Sequence, residues 1–263
     1  MIVQDNPAGH GGFVMTMGQH TVFADCLAEA YGNHQFDQIN DPNVRYVIAH
    51  HDAGWKEVDA EVHVNPNTGL PYHLSCTPYE LTSKTMRGSP DFNSAYHPLS
   101  GLVSSMHTVG LLNGRYGLAP PGIIDKFEGE KKLVAEQVIA HETIRQEGLW
   151  PKVGVGRAAV WRAYKQLQFF DMLSLYFHSQ ASGSRGENSF YNVPASGGKD
   201  VTMTIKEIAL GIYSLHPYPF AHDPVRFSFE GRWMMPAYGV ITSKNVFAST
   251  PVSLQMITLT SSR

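Results

Sequence analysis

The residues best suited to chemistry in this chain are histidines and aspartates. His50-His51-Asp52-Ala53-Gly54-Trp55 sets imidazole beside carboxylate, a pair that binds zinc, manganese, iron or cobalt. Neighbours on a helix point about 100° apart, so His51 and Asp52 reach one ion only at a helix terminus. Further ligands must come from elsewhere. His20 shares a helical face with Phe23, Leu27 and Tyr31 and points into the core. Asp171 is the only acid in the apolar run Leu167–Leu175, and a buried carboxylate without a partner costs several kcal/mol. His107 follows Leu99 and Val103 at successive i+4 positions. His141 has the charged neighbours Glu142, Arg145 and Glu147, which place it on an exposed side.

The expected metal ligands are therefore His20, His51, Asp52, His107 and Asp171, holding one or two divalent ions (Fe, Mn or Zn). Asp52, His51 and His107 are the expected catalytic groups, around an ion that lowers the pKa of a bound water toward ~7. Trp55 and Lys56, just past the His-Asp pair, are expected to meet substrate. So is Tyr218, in the Pro217-Tyr218-Pro219-Phe220 loop. Bland readings stand beside these. His51 could be a helix C-terminal histidine favoured by the dipole, Asp171 the partner of Arg157 or Arg162, and Trp55 packing against the segment 57–63.

The elements that must position these groups are mostly helical. Apolar spacing predicts a strand over Phe13 to Met17 and a helix from His20 to Tyr31, stopped by Gly32. Asp41-Pro42 caps a second helix ending at Gly54 as its C′ residue. Thr77-Pro78-Tyr79-Glu80 reads as a capping box opening a short helix. Longer helices follow at about Leu99 to Leu112, Asp125 to Gln146 and Arg157 to Gln180. The Gly/Ser/Asn-rich stretch Ala181 to Lys199 reads as a linker or lid. Beyond it, Val201-Met203-Ile205, Val225-Phe227-Phe229 and Val252-Leu254-Met256 alternate with polar residues as strands do. The fold class is mainly α, an HD-domain-like helical core with a C-terminal β-sheet region that the N-terminal strand joins. Residues 1–190 form the helical metal-binding part and 191–263 a β region packed on it.

With 263 residues, 16% charged residues and a formal net charge of −3, nothing favours nucleic acid or an anionic membrane, and a small-molecule substrate is expected. A homodimer is left open. No apolar run approaches ~18 residues, and the first residues have no basic n-region or apolar h-region. With two cysteines outside any CxxC spacing, the chain reads as cytoplasmic.

In order and spacing, His20, His51-Asp52 and Asp171 resemble the H…HD…D pattern of the HD metal-dependent phosphohydrolase superfamily, and His51-Asp52-Ala53-Gly54 matches its HDxG form. With His107 and His141 inserted, the order is similar to the six-ligand binuclear branch, which includes cyclic-dinucleotide phosphodiesterases and the di-iron oxygenases typified by myo-inositol oxygenase. Many HD enzymes have lysine after HDxG; here Trp55 stands there and Lys56 follows, which speaks for an apolar or ring-bearing substrate rather than a phosphate. The whole chain also resembles an uncharacterised bacterial family, domain of unknown function 3891, through the Met1-Ile2-Val3 start, Gln19-His20, His51-Asp52-x-Gly54-Trp55, Ser105-x-His107, Asp171-x-x-Ser174-Leu175 and Pro217-Tyr218-Pro219-Phe220. That family brings no established activity. The resemblance implies a metal-dependent hydrolase acting through activated water. The alternatives are a di-iron oxygenase and a non-catalytic metal-binding or interaction protein.

Overall fold

The structure, a computed structural model, describes residues 1–5, 11–119, 122–237 and 243–261. Two short strands, β1 (Ile2–Asp5) and β2 (Gly12–Met15), precede helix α1 (Met17–Ala30). The strand expected over Phe13 to Met17 ends two residues earlier because Thr16-x-x-Gln19 is a capping box. The Thr16 hydroxyl accepts from the Gln19 amide, and the Gln19 side chain accepts from the Thr16 amide.

Helix α2 (Pro42–His50) starts as its sequence dictates, with the Asp41 carboxylate accepting from the Asn43 amide and proline at N1. It stops earlier than expected. His51 is the C-cap, Asp52 leaves helical geometry at φ −107°, and Ala53–Trp55 forms a single 3-10 turn before α3 (Lys56–Glu61). Gly54 is thus not the C′ residue. It is needed for close approach: a Cβ on it would lie 2.7 Å from the amide nitrogen of Ser89 and collide with the Thr85 carbonyl.

Those two residues belong to α4 (Tyr79–Tyr96), which is 18 residues long rather than short. Its N-cap is Pro78 with no side-chain cap, so the expected Thr77 capping box is absent; the Thr77 hydroxyl donates to the His73 carbonyl instead. Gly88 and Pro90 inside it are poor helix residues, and neighbours compensate. Pro90 has no amide to give the Met86 carbonyl, and that carbonyl accepts from the Thr108 hydroxyl at 3.3 Å. The Asn93 amide group donates to the carbonyls of His50 and Ser89.

Helices α5 (Pro98–Asn113), α6 (Gly129–Leu149) and α7 (Arg157–Ser179) follow close to their expected spans. The stretch expected as linker or lid contains a strand, β3 (Asn188–Pro194). It is followed by β4 (Asp200–Ala209), β5 (Ile212–His216), β6 (Val225–Met234), a short helix α8 (Ser243–Ser249) and β7 (Ser253–Ser261). The seven strands form one mixed sheet in the order β1-β2-β6-β7-β5-β4-β3, with β5 and β7 parallel and the other pairs antiparallel. The chain is mainly helical, and the N-terminal strands do join the C-terminal sheet. In β7 the buried apolar face is Ile257 and Leu259, whereas Leu254 and Met256 are exposed.

Helices α1 and α7 lie on the sheet through aromatic side chains: Phe23 packs edge-on against Phe177 and close to Phe229. A continuous apolar core runs from the sheet through α1, α2, α5 and α7. Among the described residues no helix is long and apolar enough to cross a membrane.

Candidate metal centre

Four elements bring the polar residues of this core together. His20 comes from the first turn of α1, His51 and Asp52 from the end of α2, His107 from α5 and Asp171 from α7. His20 Nε2 lies 3.2 Å from Asp171 Oδ1 and 3.9 Å from Asp52 Oδ2. His51 Nε2 lies 3.4 Å from Asp52 Oδ2 and 3.6 Å from Asp171 Oδ1. Two overlapping triads, His20–His51–Asp52 and His51–His107–Asp171, each have donor atoms within 4.8 Å of one another.

The hydrogen-bond partners of the rings set what this cluster could hold. The Nδ1 of His51 is 2.8 Å from the Ile48 carbonyl, which only accepts, so Nδ1 carries the proton and the neutral ring turns the lone pair of Nε2 inward. That Nε2 is buried without a hydrogen-bond partner among the described residues. The Ser174 hydroxyl donates to the Asp171 carbonyl at 2.9 Å and so accepts from His20 Nδ1 at 3.2 Å. His20 Nδ1 also lies 3.2 Å from Nδ1 of the buried His178. In the tautomer in which His20 donates from Nδ1, its Nε2 lone pair faces the same carboxylate oxygens as that of His51; in the other, Nε2 donates to Asp171 Oδ1 at 3.2 Å. Lone pairs facing anionic oxygens in a buried site repel unless a positive charge lies between them.

The spacing suits a small ion. Donor atoms about 2.1 Å from a metal lie roughly 3.0 to 3.4 Å apart in octahedral or tetrahedral arrangements, close to the observed 3.2 to 3.9 Å. Without an ion, protons take its place. Burial alone would lower the pKa of His51, but Asp52, Asp171 and the Ile48 carbonyl outweigh it and raise it to about 9. Burial likewise would raise that of Asp171, yet hydrogen bonds from His20 and His51 hold it well below the usual carboxylate range. His107 is different: burial pushes it down to about 4, so it is neutral. Its Nδ1 lies 2.5 Å from the Gln168 side-chain amide, whose buried Oε1 has no partner. Turned over, that amide would accept the Nδ1 proton and leave Nε2 of His107 free to bind.

The sequence reads His178 as a surface residue or one that fixes a ligand's tautomer, and His178 Nδ1 does lie beside His20; the roles of Ser174 and Gln168 in orienting the rings it leaves unassigned. Their signal is spacing: Ser174 and His178 follow Asp171 at i+3 and i+7, on one face of α7. His141 stays outside the centre, half-exposed beside Glu142. Arg162 pairs with Asp37 and Arg157 lies over Trp150, so neither takes Asp171.

Asp52 is the most exposed of the four residues that meet most closely, its side chain 14% accessible, against 6% for Asp171 and 0% for His20 and His51. It borders two cavities. One, of about 620 Å³, is lined by Thr16, Thr21, Lys56, Phe92, Lys244 and Phe247 among others. The second, of about 450 Å³, reaches His51, His107 and Trp55. Lys56 and Trp55 are therefore near the centre, each on a different cavity. Tyr218 lines neither cavity: its hydroxyl donates to the His222 carbonyl at 2.5 Å, on the β5–β6 connection.

A family model described as Protein of unknown function (DUF3891) matches residues 1–235. No curated protein and no solved structure matches the chain.

Proposed function

We propose, from the premise that this chain belongs to the DUF3891 family and takes no assigned chemistry from it, that the protein is a metal-dependent hydrolase acting on a small molecule. The observation that carries this reading is the convergence of Nε2 of His20 and of His51 on the carboxylates of Asp52 and Asp171 in a buried cluster, the Nδ1 atoms of the two rings being held from outside it by Ser174 and the Ile48 carbonyl. The same residues, on α1, the end of α2 and α7, follow the order of the HD superfamily, and that order supports an HD-type centre.

One ion is favoured over two. Only Nε2 of His51 is available, and both triads use it. Nitrogen and oxygen donors of this kind suit Fe, Mn or Zn. When bound, such an ion supplies Lewis-acid activation of water at neutral pH. The chain's own residues do the rest. Asp52, reached from both cavities, accepts the proton of an incoming water. His107, neutral, offers either a further ligand or an acceptor for a substrate proton. Trp55, on the wall beside them, keeps bulk water from that side of the centre.

Metal analysis of protein purified without chelator, followed by ester, amide and phosphoester hydrolysis assays, tests the proposal. The expected result is one Fe, Mn or Zn per chain and a hydrolytic activity lost in Asp52→Ala. Two irons per chain with consumption of dioxygen would replace it with the oxygenase reading. A metal-free, inactive protein would leave a binding module.

A further inference from the structure

The 450 Å³ cavity that opens beside the candidate centre has a shape and a chemistry of its own. Its walls come from α4, α5, α6 and the turn 123–127. Along α4 it runs from Ser89, whose hydroxyl oxygen accepts from the Gly54 amide next to the His-Asp pair, to Tyr79 at the start of the helix. Ten residues of helix span about 15 Å. Over that length a volume of about 450 Å³ leaves room for an extended chain.

The walls are more apolar than their composition suggests. Trp55, Met86, Leu111, Val134 and Phe127 supply apolar surface from the centre to the mouth. Four of the hydroxyls along α4 and α5 are already committed, and the charged side chains among the lining residues, Lys126 and Lys131, come from the turn 123–127 and the start of α6, with Lys131 lying over the Phe127 ring. Thr82 donates to the Tyr79 carbonyl, Ser83 to Glu80, Thr85 to Thr82 and Thr108 to Met86. Their protons point into the helices, so along α4 and α5 a ligand meets mainly methyl and methylene groups. A polar sugar or base would lose its water here and find few donors in return.

We propose that this cavity binds an unbranched apolar chain, so that the substrate is an acyl- or alkyl-chain compound whose polar, hydrolysable group lies at the His51–Asp52–His107 end. The passage takes about twelve chain atoms, at ~1.2 Å per extended bond. The substrate assignment rests on the hydrolase reading above, whereas the chain site itself does not need the ion.

Calorimetric titration with straight-chain 1-alkanols of two to ten carbons, on the protein as purified and after chelation, tests it. Affinity is expected to rise about three- to fourfold per methylene in both samples. In Leu111→Trp and, as a second variant, Ala135→Leu, the rise should stop several carbons earlier, with ethanol and butanol binding and metal content unchanged. Affinity that is flat with chain length, or a rise that both folded variants leave untouched, would overturn the proposal. Metal content in the same samples reports separately on the centre. Length-dependent binding without metal keeps the chain site and removes the hydrolase reading; metal with flat binding does the reverse.

Discussion

Two polar clusters flank the C-terminal half of α7, and they solve the problem of burial in opposite ways. On one side Glu207 accepts from the Ser182 hydroxyl at 2.5 Å, the Gly183 and Gly211 amides at 2.8 and 3.0 Å and the Tyr213 hydroxyl at 3.0 Å. Arg185 donates to the Tyr213 hydroxyl and, at 2.5 Å, to the Phe177 carbonyl. Burial opposes the charge of Glu207, but these donors hold its pKa below the ordinary value. Each acceptor there meets a donor of the protein. On the other side His20, His51, Asp52 and Asp171 meet each other as acceptors, with their spare protons drawn outward by Ile48, Ser174 and His178. Burial of polar groups is therefore a poor sign of function taken alone; what differs between the two clusters is whether each acceptor has a donor of the protein to meet.

The sharpest way to break this contrast is Asp171→Asn. Replacing an anion by an amide at the meeting point of both triads should weaken ion binding by at least about a hundredfold, roughly the 3–5 kcal/mol of an unpartnered buried charge. Calorimetric titration with Zn or Mn reads it, and near wild-type affinity would mean that the ion binds elsewhere. The matching change on the other side, Glu207→Gln, should do the converse. Its carboxamide keeps one acceptor oxygen and loses the other, leaving either the Gly183 amide or the Ser182, Gly211 and Tyr213 donors unpaired, so stability should fall by about 1–3 kcal/mol in urea unfolding while ion affinity stays as it was.

The smallest effect per step is one of pH. His51, raised to about 9 in the ion-free protein, must lose a proton for the ion to bind. Ion affinity should therefore grow about tenfold per unit as pH rises toward 9 and level off above it. In the ion-free protein the sign is reversed: the raised pKa contributes stability fully present below its ordinary value of 6.5, lost as pH climbs through about 9. An ion affinity flat between pH 6.5 and 8.5 would show that no such proton is displaced.

Much of the centre is legible in the sequence because its signals are local. Asp41-Pro42 starts α2, the lone acid in Leu167–Leu175 marks Asp171, and the phase of His20 and His107 on apolar faces turns them inward. The exit from α2 is less legible. Gly54 looks like a helix stop, and its actual role, making room for α4, exists only once α4 is folded against it. Helix α4 itself is underread for the same reason, since Thr108 and Asn93 complete a helix that Gly88 and Pro90 argue against. Tyr218 shows the limit of reading proximity from composition: its prolines and aromatics signal a turn, but nothing in them says which side of the molecule the turn faces.

The strand arrangement also sets a timetable for synthesis. Phe13 in β2 pairs with Trp233 in β6, about 220 positions later, and β1 reaches the sheet only through β2. At about 5–20 residues per second, a ribosome takes roughly 10 to 45 seconds to make the partner that β2 needs. During that interval the apolar stretch Phe13-Val14-Met15 and the Phe23 face of α1, which ends against Phe229, have no sheet to cover them. The nascent chain thus carries the helix that bears His20 half-seated until its last strands emerge, and it is in that window that a chaperone holding apolar segments would matter most to its yield.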